Sequence, residues 1–172
     1  MGDSALSSLL DADVEALVNT VNTVGVMGRG LALQFKRRYP SNFETYAIAC
    51  KHGRVEIGRV LVVETALPAG PRFIINFPTK KHWRYPAQIE YVRAGLISMI
   101  REVQARNIRS LAVPPLGCGN GGLVWSDVRP LIDRAVALLP GVRVLVFSPD
   151  DMQDLSTKVS PVQLELSLDP RP

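Results

Sequence analysis

A chain of 172 residues, 47% hydrophobic and 21% charged, has the size and composition of one globular domain, which excludes disorder, collagen and fibre. Twenty lysines and arginines against sixteen aspartates and glutamates leave a net charge of +4, compatible with a polyanionic partner but far from a histone-like tail. Two cysteines, Cys50 and Cys118, and two histidines give no basis for a disulfide framework or a Cys/His zinc site, and no apolar run approaches the roughly 18 to 20 residues of a membrane span. The expectation is a soluble protein of a reducing cytoplasm, with no membrane partner.

In chain order, Val14–Val18 reads as a short apolar strand running into a polar, glycine-rich stretch from Asn19 to Gly30. A helix carrying Leu31, Leu33 and Phe35 follows, ending with Lys36, Arg37 and Arg38 before Pro40. A second helix opens with Ser41 as N-cap and Glu44 as its capping-box partner, and closes at His52-Gly53. Arg59–Ala66 and Phe73–Phe77 read as neighbouring strands separated by the turn from Pro68 to Pro71. From Ala87 to Asn107, Ile89, Val92, Leu96, Ile100 and Val103 recur on one helical face that packs on a sheet.

Ser110–Val113 is another short strand, stopped by Pro114-Pro115 and followed by a second glycine cluster, Gly117 to Gly122. Ser126 is the expected N-cap of a helix with Asp127 and Pro130 in its first turn, running to about Leu139. Arg143–Phe147 is the last buried-type strand. The domain is expected to span residues 1–150, with 151–172 a loose polar tail or linker. Strands alternating with helices and no internal repeat predict an α/β fold, a mostly parallel sheet with helices on both faces.

Both glycine clusters lie between the carboxyl end of a strand and the amino end of a helix, where open α/β sheets bind ligands. Glycine lets backbone amides approach phosphate oxygens, and the helix terminus adds free N–H groups and a favourable dipole, so two such loops suit a diphosphate. One cluster alone reads equally well as a turn; two at equivalent places favour a nucleotide-like ligand. Gly25 and Gly30 have Walker A spacing, but Leu31 stands where lysine is required. Gly117, Gly119 and Gly122 have G-x-G-x-x-G spacing without the acid about twenty positions on, which disfavours a dinucleotide dehydrogenase.

Three segments, Ala16 to Gly30, Ile74 to Lys80 and Ala112 to Gly122, together resemble the macrodomain, a three-layer α/β/α module with a mixed, mostly parallel sheet that binds ADP-ribose. The resemblance covers roughly residues 5 to 150, and Asn76-Phe77-Pro78-Thr79-Lys80 is similar to the DarG antitoxin branch, whose members remove ADP-ribose that the DarT toxin places on thymidine in single-stranded DNA. It implies that Asn22, with Thr23 beside it, faces the distal ribose. Gly25, Val26, Met27, Gly28 and Gly30 would lie beneath the diphosphate. Leu116, Gly117, Cys118, Gly119, Asn120 and Gly121 would form the second phosphate loop, and Phe147 would border the adenosine half. Leu9 falls where the family's adenine-side Gly-Asp-Ile/Leu signature would lie, read here as Ser7-Ser8-Leu9 without the aspartate. Thr79 precedes the residue that matches the branch's essential lysine, Lys80, taken here as catalytic.

Chemistry supports the choice of Lys80. An amine can attack the anomeric carbon of a ribose, and an ammonium can donate a proton to the departing group. Lys81, His82 and Arg84 follow in sequence and are expected to lower the Lys80 pKa. With Trp83, which can stack on a base, they are also the candidate DNA contacts. Without the resemblance, the same run reads as a solvated basic turn. Cys118 reads as a space-filling residue. The second loop carries Asn120-Gly121-Gly122 with no acid, so a lysine–aspartate pair is not expected.

The expected function is therefore an ADP-ribosyl glycohydrolase acting on thymidine in single-stranded DNA, without metal or other cofactor, as a monomer, and with a DarT-like toxin as its counterpart. The alternatives are a hydrolase of ADP-ribosylated protein carboxylates or O-acetyl-ADP-ribose, and a non-catalytic ADP-ribose reader. Plain nucleic-acid binding would need steep salt dependence, and has weak support at +4.

Overall fold

The computed structural model describes residues 8–152. After a single 3-10 turn at Leu9–Asp11, the chain forms β1 (Ala16–Asn22), α1 (Gly30–Arg38), α2 (Pro40–Lys51), β2 (Leu61–Glu64) and β3 (Phe73–Lys80). It continues through α3 (Ile89–Ala105), β4 (Ser110–Val113), α4 (Trp125–Ala137) and β5 (Arg143–Val146). The sheet order is β2-β3-β1-β4-β5. All pairings are parallel except β2 with β3, which is antiparallel at the edge. No helix among the described residues is long and apolar enough to cross a membrane.

Period-two alternation divides the core. Ala16 and Val18 of β1 face the same side as Phe73, Ile75 and Phe77 of β3 and Leu111 and Val113 of β4, and α3 and α4 cover that side through Val92, Leu96, Met99, Val128 and Ile132. Leu17, Ile74 and Ala112 face the other side and are buried by Leu9, Val14, Phe35 and Tyr39. Val21 meets Met27 and Tyr46 beneath α2. The result is the expected three-layer α/β/α arrangement with a mixed, mostly parallel sheet.

Element boundaries differ from the sequence reading where polar residues find partners distant in sequence. β1 starts at Ala16 rather than Val14 and continues to Asn22 through residues that read as loop. Asn19 stays in the strand because its buried amide donates to Asn76 Oδ1 on β3 at 3.3 Å, and Asn42 of α2 exchanges bonds of 3.1 and 2.8 Å with the same Asn76. β3 likewise runs past Phe77, through Pro78, to Lys80. A register shift between Val21 and Asn22 sets Lys80, not Thr79, opposite Asn22.

Neither predicted serine cap forms. Tyr39 caps α2, with Pro40 pre-setting the first turn, so Ser41 and Glu44 lie inside the helix. α4 begins at Trp125 after Val124, which places Ser126 within it and Pro130 in its interior rather than its first turn. β5 ends at Val146, although the Phe147 amide still donates to Val113 O at 2.9 Å.

Beyond Phe147, Ser148 opens a helical turn instead of a loose tail. Its amide and hydroxyl donate to Asp151 Oδ2 at 2.7 and 3.0 Å, and the Asp151 amide donates back to Ser148 Oγ at 3.2 Å. Met152 then packs with Phe147 on the Leu9 side of the core. The remainder of the expected tail, 153–172, lies outside the described residues.

Candidate functional site

At the carboxyl ends of β1 and β4 the two glycine loops line a cleft of about 840 Å³, with the end of β3 between them and residues 83–86 on its rim. The loops approach each other across it, where a Cβ on the exposed Gly30 would stand 3.1 Å from Asn120 Nδ2. Gly30 has φ +53 and opens α1, so the first loop delivers the helix amino terminus to the cleft.

Asn22 shapes the first loop. Its Nδ2 donates to Val26 O at 2.8 Å, and its Oδ1 accepts from the amides of Val24 at 3.0 Å and Val26 at 3.4 Å. From below, the buried Tyr46 hydroxyl lies 2.9 Å from the Asn22 carbonyl and 2.8 Å from its Oδ1, sharing one proton between them. Burial pushes the Tyr46 pKa strongly up, so the hydroxyl remains a donor. Gly25, at φ +87, packs 3.4 Å from Cys50 Cβ by its virtual Cβ and lets the loop turn against α2.

The second loop is held by Cys118 N to Pro115 O, Gly122 N to Gly119 O and Leu123 N to Gly117 O, at 2.9 to 3.2 Å. Among the described residues, the amides of Gly119, Asn120 and Gly121 have no acceptor, so they are free for phosphate oxygens. A Cβ on Gly121 would stand 2.4 Å from Gly117 O, whereas nothing lies within 4 Å of one on Gly119. Burial raises the Cys118 thiol to about 11, which keeps it protonated and unsuited to attack.

Lys80 closes the cleft between the loops. Its Nζ donates to Asn120 O at 2.9 Å. Burial lowers its pKa first, and the charge of Arg29 lowers it further. Lys81, His82 and Arg84, the expected cause, do not produce the shift: Lys81 and His82 lie outside the cleft, and the Arg84 guanidinium sits over the Trp83 ring. Lys81 Nζ lies 5.8 Å over the Tyr91 ring, and the His82 ring stacks on Trp83 while its Nδ1 accepts from the Arg84 amide. Among the described residues, Arg29, Lys80 and Arg84 are the charged side chains lining the cleft, with no aspartate or glutamate beside them. This is a cationic slot with two amide-lined loops and one amine of depressed basicity, suited to a diphosphate bearing a reactive sugar.

Residues 18–132 match the family model described as Macro domain. A Thermus aquaticus relative named DNA ADP-ribosyl glycohydrolase is 55% identical over 142 residues, covering 83% of this chain and 39% of that protein. The solved macrodomain of Mycobacterium tuberculosis DarG superposes with a TM-score of 0.82 at 57% identity, covering 83% of this chain and 94% of that one. The chain belongs to the macrodomain family. Thermosipho africanus DarTG, solved in complex with ADP-ribose, matches with a TM-score of 0.73 at 35% identity, covering 79% of this chain and 38% of that one. The chain spans about two fifths of the length of the curated relatives it matches.

Within this macrodomain, Asn22, Val26, Gly28, Gly30, Thr79, Lys80, Gly117, Cys118, Gly119, Asn120, Gly121, Trp83 and Arg84 all line the cleft. Asn22 does so with its amide already engaged in the loop, so its geometry is that of a loop organiser rather than a free ribose ligand. Leu9, Met27 and Leu116 are corrected to core positions, each exposed by no more than 1% because they bury apolar side chains beneath the site. Gly25 is turned toward α2, and Phe147 packs on the Leu9 cluster. Thr23 lies outside the cleft lining and donates to Lys81 O at 2.8 Å. Lys81 and His82 also fall outside that lining.

Sequence reasoning missed Arg29, Tyr85, Pro149 and Met152, which also line the macrodomain cleft. Arg29 sat in plain view within the first glycine loop, and its position just before a helix was the available signal. Met152 was hidden by the expectation of a loose tail from 151, and Pro149 lies past the last expected strand, although Ser148 and Asp151 have capping-box spacing.

Proposed function

We propose that this macrodomain removes ADP-ribose from thymidine in single-stranded DNA, with Lys80 as nucleophile. The observation that carries the reading is the placement of Lys80 between the two amide-lined loops, with burial and Arg29 both favouring its free amine. The amine attacks the anomeric carbon, and the glycosidic electron pair leaves with the base, which takes up the proton that the attacking nitrogen sheds as the C–N bond forms. Water then displaces the lysine to release ADP-ribose and restore the amine. The name of the T. aquaticus relative, DNA ADP-ribosyl glycohydrolase, and the ADP-ribose bound to the T. africanus DarTG structure support ADP-ribosylated DNA as the substrate class.

In this reading the protein acts as a monomer in the cytoplasm, against a DarT-like toxin and without a metal or other cofactor. The two free thiols, Cys50 and Cys118, suit a reducing compartment. The test compares release of ADP-ribose from a single-stranded oligonucleotide carrying ADP-ribosyl-thymidine with release from an ADP-ribosylated glutamate peptide. Faster turnover of the DNA is expected. Turnover of the peptide alone would assign the site to protein carboxylates, and binding of ADP-ribose without any release would make the domain a reader.

A further inference from the structure

The cleft rim beside Lys80 carries an aromatic group that sugar and diphosphate chemistry does not require. Trp83 and Tyr85 remain 45% and 61% exposed, and both line the cleft. Their neighbour in the stack is His82 rather than the core: its ring lies 5.2 Å from that of Trp83 at 28°, and 5.1 Å from that of Tyr85. The Arg84 guanidinium sits 4.6 Å over the Trp83 ring. Two exposed rings within three residues, at the mouth of a charged cleft, leave apolar area for a ligand to cover.

This rim is tied to both glycine loops. Lys81 O accepts from Thr23 at 2.8 Å, next to the first loop, and the Ala87 amide donates to Gly121 O of the second at 3.0 Å. Inside the segment, the Arg84 and Tyr85 amides donate to His82 Nδ1 and O at 3.1 and 3.0 Å. The backbone that carries the rings is therefore anchored to both loops before any ligand arrives, which reduces the ordering that binding requires.

We infer that Trp83 and Tyr85, with the His82 ring between them and Arg84 over Trp83, form a stacking platform for the bases that flank the modified thymidine in single-stranded DNA. Each base has a π-face, so such a platform is tolerant of sequence, and a cation over the ring adds attraction. Arg29, Lys80 and Arg84 complement the phosphates, and among the described residues no acid lining the cleft opposes them. A duplex hides its base faces within its own stack, so the platform selects the single strand. The inference rests on the DNA reading above and adds the residues that recognise the strand.

The test measures kcat/KM for ADP-ribosyl-thymidine as a free nucleoside and within a short single-stranded oligonucleotide. The intact chain is expected to favour the oligonucleotide. Trp83→Ala and Tyr85→Ala should each reduce the oligonucleotide-to-nucleoside ratio by roughly 5- to 150-fold, and Trp83→Phe should keep most of it. An unchanged ratio in both alanine variants, or an equal fall on both substrates, would overturn the platform, as would equal turnover of duplex and single strand. Failure of the DNA reading looks different: the intact chain would release nothing from either thymidine substrate.

Discussion

Lys80 Nζ reaches across the cleft to Asn120 O at 2.9 Å, joining the end of β3 to the second glycine loop. Asn120 stands in a loop that carries no acid, so the lysine meets a neutral carbonyl instead of a carboxylate. A carboxylate partner would raise the lysine pKa; burial and Arg29 lower it instead. Both influences disfavour the charged form, so Lys80 holds a larger share of free amine than an ordinary exposed lysine.

This sets the pH dependence. For a nucleophilic amine, kcat rises as Lys80 loses its proton, and the midpoint lies below the ordinary lysine value because burial and Arg29 both disfavour the charged form. Removing the neighbouring charge with Arg29→Gln should move the midpoint upward and slow turnover near neutral pH. A pH–rate profile of both proteins checks the sign; a rate that falls with pH across the same range would make Lys80 a proton donor.

The second loop depends on close approach at Gly121. Gly121→Ala would bring a methyl to 2.4 Å from Gly117 O and 2.7 Å from Ala87 Cβ, neither of which is the end of a flexible chain. A loss of about 1–3 kcal/mol in chemical denaturation, together with weakened ADP-ribose binding by calorimetry, is expected. Gly119→Ala meets nothing within 4 Å and should leave stability within about 0.5 kcal/mol.

Tyr46 supports the first loop from beneath. Tyr46→Phe removes the only side-chain hydroxyl bonded to the Asn22 carbonyl and Oδ1 among the described residues. The expected cost is about 1–3 kcal/mol, because buried acceptors are left short of a donor. Denaturation of the variant measures it, and increased hydrogen exchange at the Val24 and Val26 amides would locate the loosening in the loop that Asn22 holds.

Turnover is expected to persist in excess chelator. Among the described residues no group of three or more His, Cys, Asp or Glu side chains is placed to hold a metal ion, and the Cys118 thiol, held near 11, is protonated at neutral pH. Loss of activity in chelator that returns on adding a divalent cation would refute this.

Much of this architecture was legible in the residues. Ser110–Val113 shows as an apolar run bounded by Pro114-Pro115, and the face of α3 shows in Val92, Leu96 and Val103, because burial and period coincide there. Asn19 and Asn22 were opaque, since a polar residue in a strand is satisfied by partners such as Asn76 and Tyr46 that are distant in sequence. Ser41 and Ser126 misled because Pro40 and the chain entering from Val124 set the helix starts instead. At the site, both glycine loops could be read from local pattern, whereas Lys80 stood out from a basic turn only through the resemblance to the macrodomain. The partnership of Lys80 with Arg29 could not be read, because it arises only when β1 and β3 end side by side.

The most direct test of the central claim is Lys80→Ala, assayed for ADP-ribose release from an ADP-ribosyl-thymidine oligonucleotide and, in parallel, for ADP-ribose affinity by calorimetry. The account predicts a loss of turnover on the order of 10³-fold or more, with affinity kept within a few-fold, since the loop amides that face the diphosphate remain in place. Turnover retained by the variant would contradict it and move the chemistry away from Lys80.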